Sequence, residues 1–158
     1  MNIEDFEKAS PLFKPEQFFT GQLRGWAILE GPLGGLQRRA TLIADGMTVD
    51  GGAIVAFSET WTFDDGHVDT LNWRIRRLAD GRYEGSEPTV EGKAEGDVSG
   101  CAFHWTYTRN VPGKDGDATK LNLDDWFFRI DERGTMVKGT AGRLGLPFLT
   151  LVVTYQKL

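Results

Sequence analysis

The stretch Ile54-Val55-Ala56-Phe57-Ser58-Glu59-Thr60-Trp61-Thr62-Phe63, then Asp64-Asp65-Gly66, then Leu71-Asn72-Trp73-Arg74-Ile75-Arg76, decides how the chain folds. Side chains alternate faces along a strand. One face of the first segment reads Val55, Phe57, Glu59, Trp61, Phe63, and the other Ile54, Ala56, Ser58, Thr60, Thr62. After the turn, Leu71, Trp73 and Ile75 oppose Asn72, Arg74 and Arg76. Asp supports a tight turn by bonding local backbone, and Gly accepts the positive φ such turns need. The stretch therefore reads as an antiparallel hairpin whose large aromatic face points to an interior.

The same punctuation recurs along the chain. Asp45-Gly46, Asp80-Gly81, Glu91-Gly92, Ser99-Gly100, Asp115-Gly116 and Arg133-Gly134 each separate strand-forming runs. They predict ten strands, near 21–29, 36–45, 47–63, 66–78, 80–88, 91–98, 100–110, 118–131, 134–143 and 148–157, the third with a break or bulge at Gly51-Gly52. A long meander closes on itself to remove its edges. The fold class expected is all-β: a single antiparallel up-and-down meander closed into a barrel over residues 21–158. Residues 1–20 read as a separate N-terminal arm, either packing Phe6, Phe13, Phe18 or Phe19 against the barrel mouth or left as a partly disordered tail.

Composition bounds the function. The chain has 158 residues, the size of one domain, with 40% hydrophobic and 26% charged residues. A net charge of −5 argues against nucleic acid as a partner, because phosphate binding needs a basic surface. The N-terminus lacks the basic start and apolar run of a signal peptide, and no apolar stretch is long enough to span a bilayer. A cytoplasmic location is expected for the chain as it stands, or an envelope location if a leader has been trimmed. The single cysteine, Cys101, is expected as a buried structural thiol on a strand. His67, His104 and Cys101 have no metal-ligand spacing, no glycine pair opens a helix as a phosphate loop would, and no serine sits in a nucleophile elbow. No metal or cofactor is expected, and no catalytic residue is assigned.

Glu59 carries the strongest chemical signal. A carboxylate on the face of Phe57 and Trp61 must pair, accept hydrogen bonds or become neutral. Parity offers Tyr107, Arg109 and Arg129 as partners. Glu59 then either fixes the barrel register, anchors a ligand head group or acts as a general acid or base. Tyr107 and Arg109 share a face two residues apart and could hold a carboxylate. The five tryptophans, Trp26, Trp61, Trp73, Trp105 and Trp126, read as core packing or as cavity walls. Around Asp124-Asp125-Trp126 both faces mix charge with aromatics. Only one carboxyl points inward, and Trp126 could plug one end of the barrel.

The chain resembles a proteobacterial family known as domain-of-unknown-function family 3833. The likeness runs through Phe18-Phe19-Thr20-Gly21-Gln22-Leu23-Arg24-Gly25-Trp26, Ser58-Glu59-Thr60-Trp61-Thr62-Phe63-Asp64-Asp65-Gly66, Trp73-Arg74-Ile75, Gly92-Lys93-Ala94-Glu95-Gly96 and Trp105-Thr106-Tyr107. It is clearest at Leu123-Asp124-Asp125-Trp126, followed by Lys138 and the glycines around Gly145. The resemblance implies a lipocalin-like, calycin-type barrel, and association of its members with enzymes that modify membrane fatty acids implies a lipid-related role. The function expected is non-enzymatic binding of a small hydrophobic or amphipathic ligand, fatty-acyl compounds included, in a cavity of several hundred cubic ångströms. The ligand-binding set is Glu59, Trp61, Trp73, Trp105, Tyr107, Arg109, Asp125, Trp126 and Arg129. The other readings are an isomerase or cyclase acting on a lipid-like substrate through Glu59 or Asp125, and a packed barrel that binds protein partners.

Overall fold

The computed structural model describes residues 1–113 and 115–158. Ten antiparallel strands follow in order: β1 (Gly21–Glu30), β2 (Leu36–Val49), β3 (Ile54–Phe63), β4 (Val68–Arg77), β5 (Tyr83–Ser86), β6 (Val90–Ser99), β7 (Ala102–Pro112), β8 (Ala118–Arg129), β9 (Gly134–Arg143) and β10 (Leu146–Lys157). Each pairs with its sequence neighbours, and β10 returns to pair with β1 from Leu23↔Lys157 to Glu30↔Thr150, so the barrel is closed. The alternation read from sequence is the burial pattern observed: Leu23, Ala27, Leu29, Leu42, Phe57, Leu71, Trp73, Phe103, Trp105 and Val153 are buried. Asp65, Asp80 and Asp115 each accept the backbone N–H of the residue two further on, which fixes the turns after β3, β4 and β7.

Two expected turns are not turns. Asp45 and Gly46 lie inside β2, paired with Ser58 and Phe57, and β2 continues to Val49 before turning at Asp50–Gly52. The expected third strand, 47–63, is therefore split between two elements. Gly46 is small for another reason: a Cβ there would collide with the carbonyl oxygen of Phe19. Glu91 and Gly92 lie inside β6. There the register slips, with Glu91 opposite Thr108 but Glu95 opposite Thr106, and Gly92 supplies the positive φ (64°) of the bulge. The true turn is Glu87–Thr89, where the Glu87 carboxylate accepts both the N–H and the hydroxyl of Thr89.

The arm closes one end of the barrel, here called the base. It contains a 3-10 turn (Ile3–Phe6) and one helical turn, α1 (Pro15–Phe18). Phe13 N–H donates to Gly100 O at 2.8 Å, and Phe13, Phe18 and Phe19 are buried against Phe57, Phe103, Phe127 and Tyr155 at ring separations of 5.0–6.4 Å. Lys157 Nζ donates to the carbonyls of Phe18 and Thr20. Phe6 does not join this plug; it packs outside the wall on Trp126 and Phe128.

The wall has a seam. β5 is four residues long and pairs only with Arg74–Arg77 of β4, so residues 68–73 of β4 have a ladder on the β3 side alone. Arg109 bridges the gap, donating to both carboxylate oxygens of Asp69 (2.9 and 3.1 Å) and to the hydroxyl of Thr89 (3.0 Å). At the opposite end from the arm, the mouth, Arg38 of β2 reaches across to Pro112 O of β7 on the far side of the ring at 3.2 Å. Its guanidinium lies 3.5 Å over Phe63 and within 3.1 Å of Asp65.

Candidate functional site

Midway between plug and mouth, the register brings two carboxyls to a small chamber. Glu59 sits between Ala44 and Leu71 on neighbouring strands, and Asp125 between Trp105 and Gly139. Both are buried. Tyr155 Oη donates to Glu59 Oε2 at 2.9 Å, and Tyr107 Oη donates to Asp125 Oδ2 at 3.1 Å. The indoles of Trp73 and Trp61 face the Glu59 carboxylate. Asp125 Oδ1 and Trp61 Nε1, both buried, have no hydrogen-bond partner. Asp125 Oδ1 lies over Gly139, in the position a Cβ would take.

Burial dominates the electrostatics. Loss of water raises the Asp125 pKa to about 7, against the lowering effect of the Tyr107 bond and with added repulsion from Glu59 and Asp124. Burial likewise raises Glu59, while the bond from Tyr155, the two indoles and the distant Arg109 charge oppose it. Tyr107 and Tyr155 are held well above their ordinary value, first by burial and then by the neighbouring carboxylates. The chamber holds protons at neutral pH that free carboxyls would have released.

Its volume is about 40 Å³, between Phe18 and Phe19 of the plug, the two acids and their phenols, and Trp61, Trp73 and Trp105. That is space on the scale of water molecules. It overturns the expectation of a ready-made interior cavity of several hundred cubic ångströms. A far larger concavity, about 750 Å³, is a groove on the outer faces of β2, β3 and β4, walled by Ser86, Glu87 and Pro88.

Six of the nine predicted residues meet at the chamber: Glu59, Trp61, Trp73, Trp105, Tyr107 and Asp125. Three do not. Arg109 lies toward the mouth, and its hydrogen-bond partners are Asp69 and Thr89 rather than Glu59. Trp126 faces outward, stacked on His104 at 4.0 Å and covered by Phe6. Arg129 lies at the base, where it donates to Leu12 O and Asp131 O. It serves the arm, not Glu59. Trp26 is also on the outer wall and 49% exposed, so only three of the five tryptophans line the interior. Cys101 is at the turn between β6 and β7 and half-buried, not a core thiol on a strand. Sequence reasoning missed Tyr155, although its alternation with Val153 on the last strand places both inside. It also missed Asp69 and Arg38, whose partners lie across the barrel, where no local pattern points.

Among the described residues no group of three His, Cys, Asp or Glu side chains could hold a metal, and no helix is long and apolar enough to cross a membrane. The fold and site define a lipocalin-like up-and-down barrel with a proton-holding polar chamber at its centre. The chain belongs to the family described as protein of unknown function, DUF3833, whose family model matches residues 1–157. The curated proteins contain no match. Among solved structures the chain is similar to the S-type phycobiliprotein lyase CPES from Guillardia theta. The TM-score is 0.62 at 11% identity, covering 100% of this chain and 98% of that one. At that identity the likeness is one of fold.

Proposed function

We propose that the protein binds a small hydrophobic or amphipathic molecule inside the barrel, without chemistry on it, and that the arm's phenylalanines yield their place to the ligand. The observation that carries this reading is the chamber itself. A core built only for stability does not bury two carboxyls and leave an acceptor and a donor unpartnered, because each such atom costs free energy. The filling of the interior supports the same reading. Phe13, Phe18 and Phe19 come from the arm, so the strands enclose space at the base that they do not fill themselves. The likeness to a phycobiliprotein lyase supports a barrel of this type serving a small organic group. The lipid-related role that the family resemblance implies supports a fatty-acyl component.

One observation favours a second reading. A carboxyl at about 7 beside a tyrosine is poised as a general acid or base, which suits an isomerase or cyclase. In that case Asp125→Asn abolishes turnover while binding persists.

The test is native mass spectrometry of the purified protein, with solvent extraction of anything bound, followed by titration of an apolar probe read by interior tryptophan fluorescence. Expected are a stoichiometric small molecule or saturable binding, strengthened in a Phe18→Ala/Phe19→Ala variant that opens the base. An empty protein that binds no probe, in wild type or in that variant, overturns the reading and moves the function to the outer surface.

A further inference from the structure

We infer that the polar end of the ligand is an ammonium group, preferred over an amide or a carboxylate. This rests on the reading that a ligand enters the barrel. The argument is a count of donors and acceptors. The chamber's two carboxyls face two phenols, and each phenol is already committed: Tyr155 to Glu59 and Tyr107 to Asp125. What remains is an acceptor without a donor, Asp125 Oδ1, on a residue only 6% exposed. A ligand ammonium supplies the missing donor and, being charged, displaces the proton from the carboxyl as it binds, whereas a neutral amide meets an oxygen that already carries a hydrogen.

A carboxylate finds the opposite. It would be a third acid beside Glu59 and Asp125, and Arg38 and Arg109 are already held by acids. Arg109 gives three of its five N–H groups to Asp69 and Thr89, with side-chain exposures of 6% and 12% for the ion pair. Taking that guanidinium for a ligand would leave Asp69 charged and unpaired in a largely buried place, which is strongly unfavourable. Arg38 is likewise tied to Asp65 and Pro112. An ammonium has the reverse balance: it offsets the acids.

Protons must balance. The groups facing Asp125 are Tyr107 from β7, Glu59 from β3 and Tyr155 from β10, with Asp124 adjacent in sequence and Arg109 toward the mouth. Burial keeps Asp125 largely protonated below pH 7. An alkylammonium enters already charged, so the carboxyl gives its proton to bulk water and the pair becomes ammonium and carboxylate. One proton is released per ligand bound. A neutral amide leaves the proton on Asp125.

The experiment titrates decylamine, decanamide and decanoic acid, each below its aggregation threshold, into the full chain near pH 6. Tryptophan fluorescence reads affinity, and calorimetry in two buffers of different ionisation enthalpy reads protons. The amine is expected to bind at least tenfold more tightly than the amide or the acid, with about one proton released. Asp125→Asn, shown by circular dichroism to be folded, should weaken the amine at least tenfold and abolish the release. A carboxylate preference that is lost in Arg109→Gln overturns the inference and leaves interior binding standing. An amine affinity unchanged in Asp125→Asn, or an amide bound as tightly as the amine, overturns it as well. Failure of all three probes, also with Phe18→Ala/Phe19→Ala, removes interior binding itself and this inference with it.

Discussion

Asp125 is held in place by a residue with no side chain. Its Oδ1 occupies the space over Gly139, with Leu151 closing the same spot. Gly139→Ala must push the carboxyl off the β9 wall, at a cost of about 1–3 kcal/mol for overpacking. Urea unfolding should show a lowered midpoint with unchanged slope, and the Tyr107 bond should be lost. The same carboxyl sets a pH dependence. Its pKa is raised to about 7 from 3.8, so the folded chain keeps a proton that the unfolded chain has lost. The stabilisation is complete below pH about 4 and is lost as pH rises through about 7, on the order of 4 kcal/mol across the window. Glu59, also raised, adds a loss of the same sign. The turn residues Asp64, Asp65 and Asp131 act oppositely: bonds from nearby backbone N–H groups lower them, Asp65 to about 2, so their contribution disappears as pH falls. The melting temperature should therefore decline between pH 5 and pH 8, and Asp125→Asn should flatten that decline. Much of this was legible at residue scale. Alternation alone puts Glu59, Tyr107 and Asp125 on inward faces. Who bonds whom was not legible: Glu59 takes Tyr155 from a strand 96 residues away, and Arg109 takes Asp69 because both face the gap beside β5.

Among the elements, the shortest strand matters most. β5 ends at Ser86 and leaves half of β4 paired on one side. Arg109 and Asp69 staple that gap, and removing one partner of a buried ion pair costs about 3–5 kcal/mol because the other charge is stranded. Asp69→Asn should approach this loss, and hydrogen exchange should accelerate at the β4 amides near residues 69–73 before it does so in β3. A milder case sits between β9 and β10, where Leu144 has φ 53° in the tight turn it forms with Gly145. Leu is strained in that region and Asn tolerates it. Leu144→Asn should raise stability by roughly 1 kcal/mol, measured as a shift in thermal midpoint. Turns whose Asp bonds the following backbone, such as Asp65 and Asp80, could be read from sequence. Gly46 and Gly92 could not, because one makes room for the arm and the other shapes a bulge. A glycine beside an acidic residue looks the same in all three situations.

For the molecule as a whole, the closed all-β barrel was legible because nearly every strand alternates and nearly every connection is short. Whether it was hollow was not legible. That depends on where Phe18 and Phe19 turn their rings, and local periodicity says nothing about a segment arriving from outside the sheet. The plug gives a prediction at this scale. If it yields to a ligand, limited proteolysis near residues 7–14 should quicken when a bound molecule displaces it and slow when the barrel is empty. The ladder between β1 and β10 has a consequence in the cell. Leu23 must wait for Lys157, so while the chain is being made one edge of β1 has no mate until almost everything after it has left the ribosome. At ~5–20 residues per second that wait is on the order of ten seconds. Throughout it, the nascent chain presents an open strand edge flanked by Trp26 and Ile28, an invitation to chaperones or to neighbouring polysomes, and any lesion in the final strand condemns the chain to that exposed state.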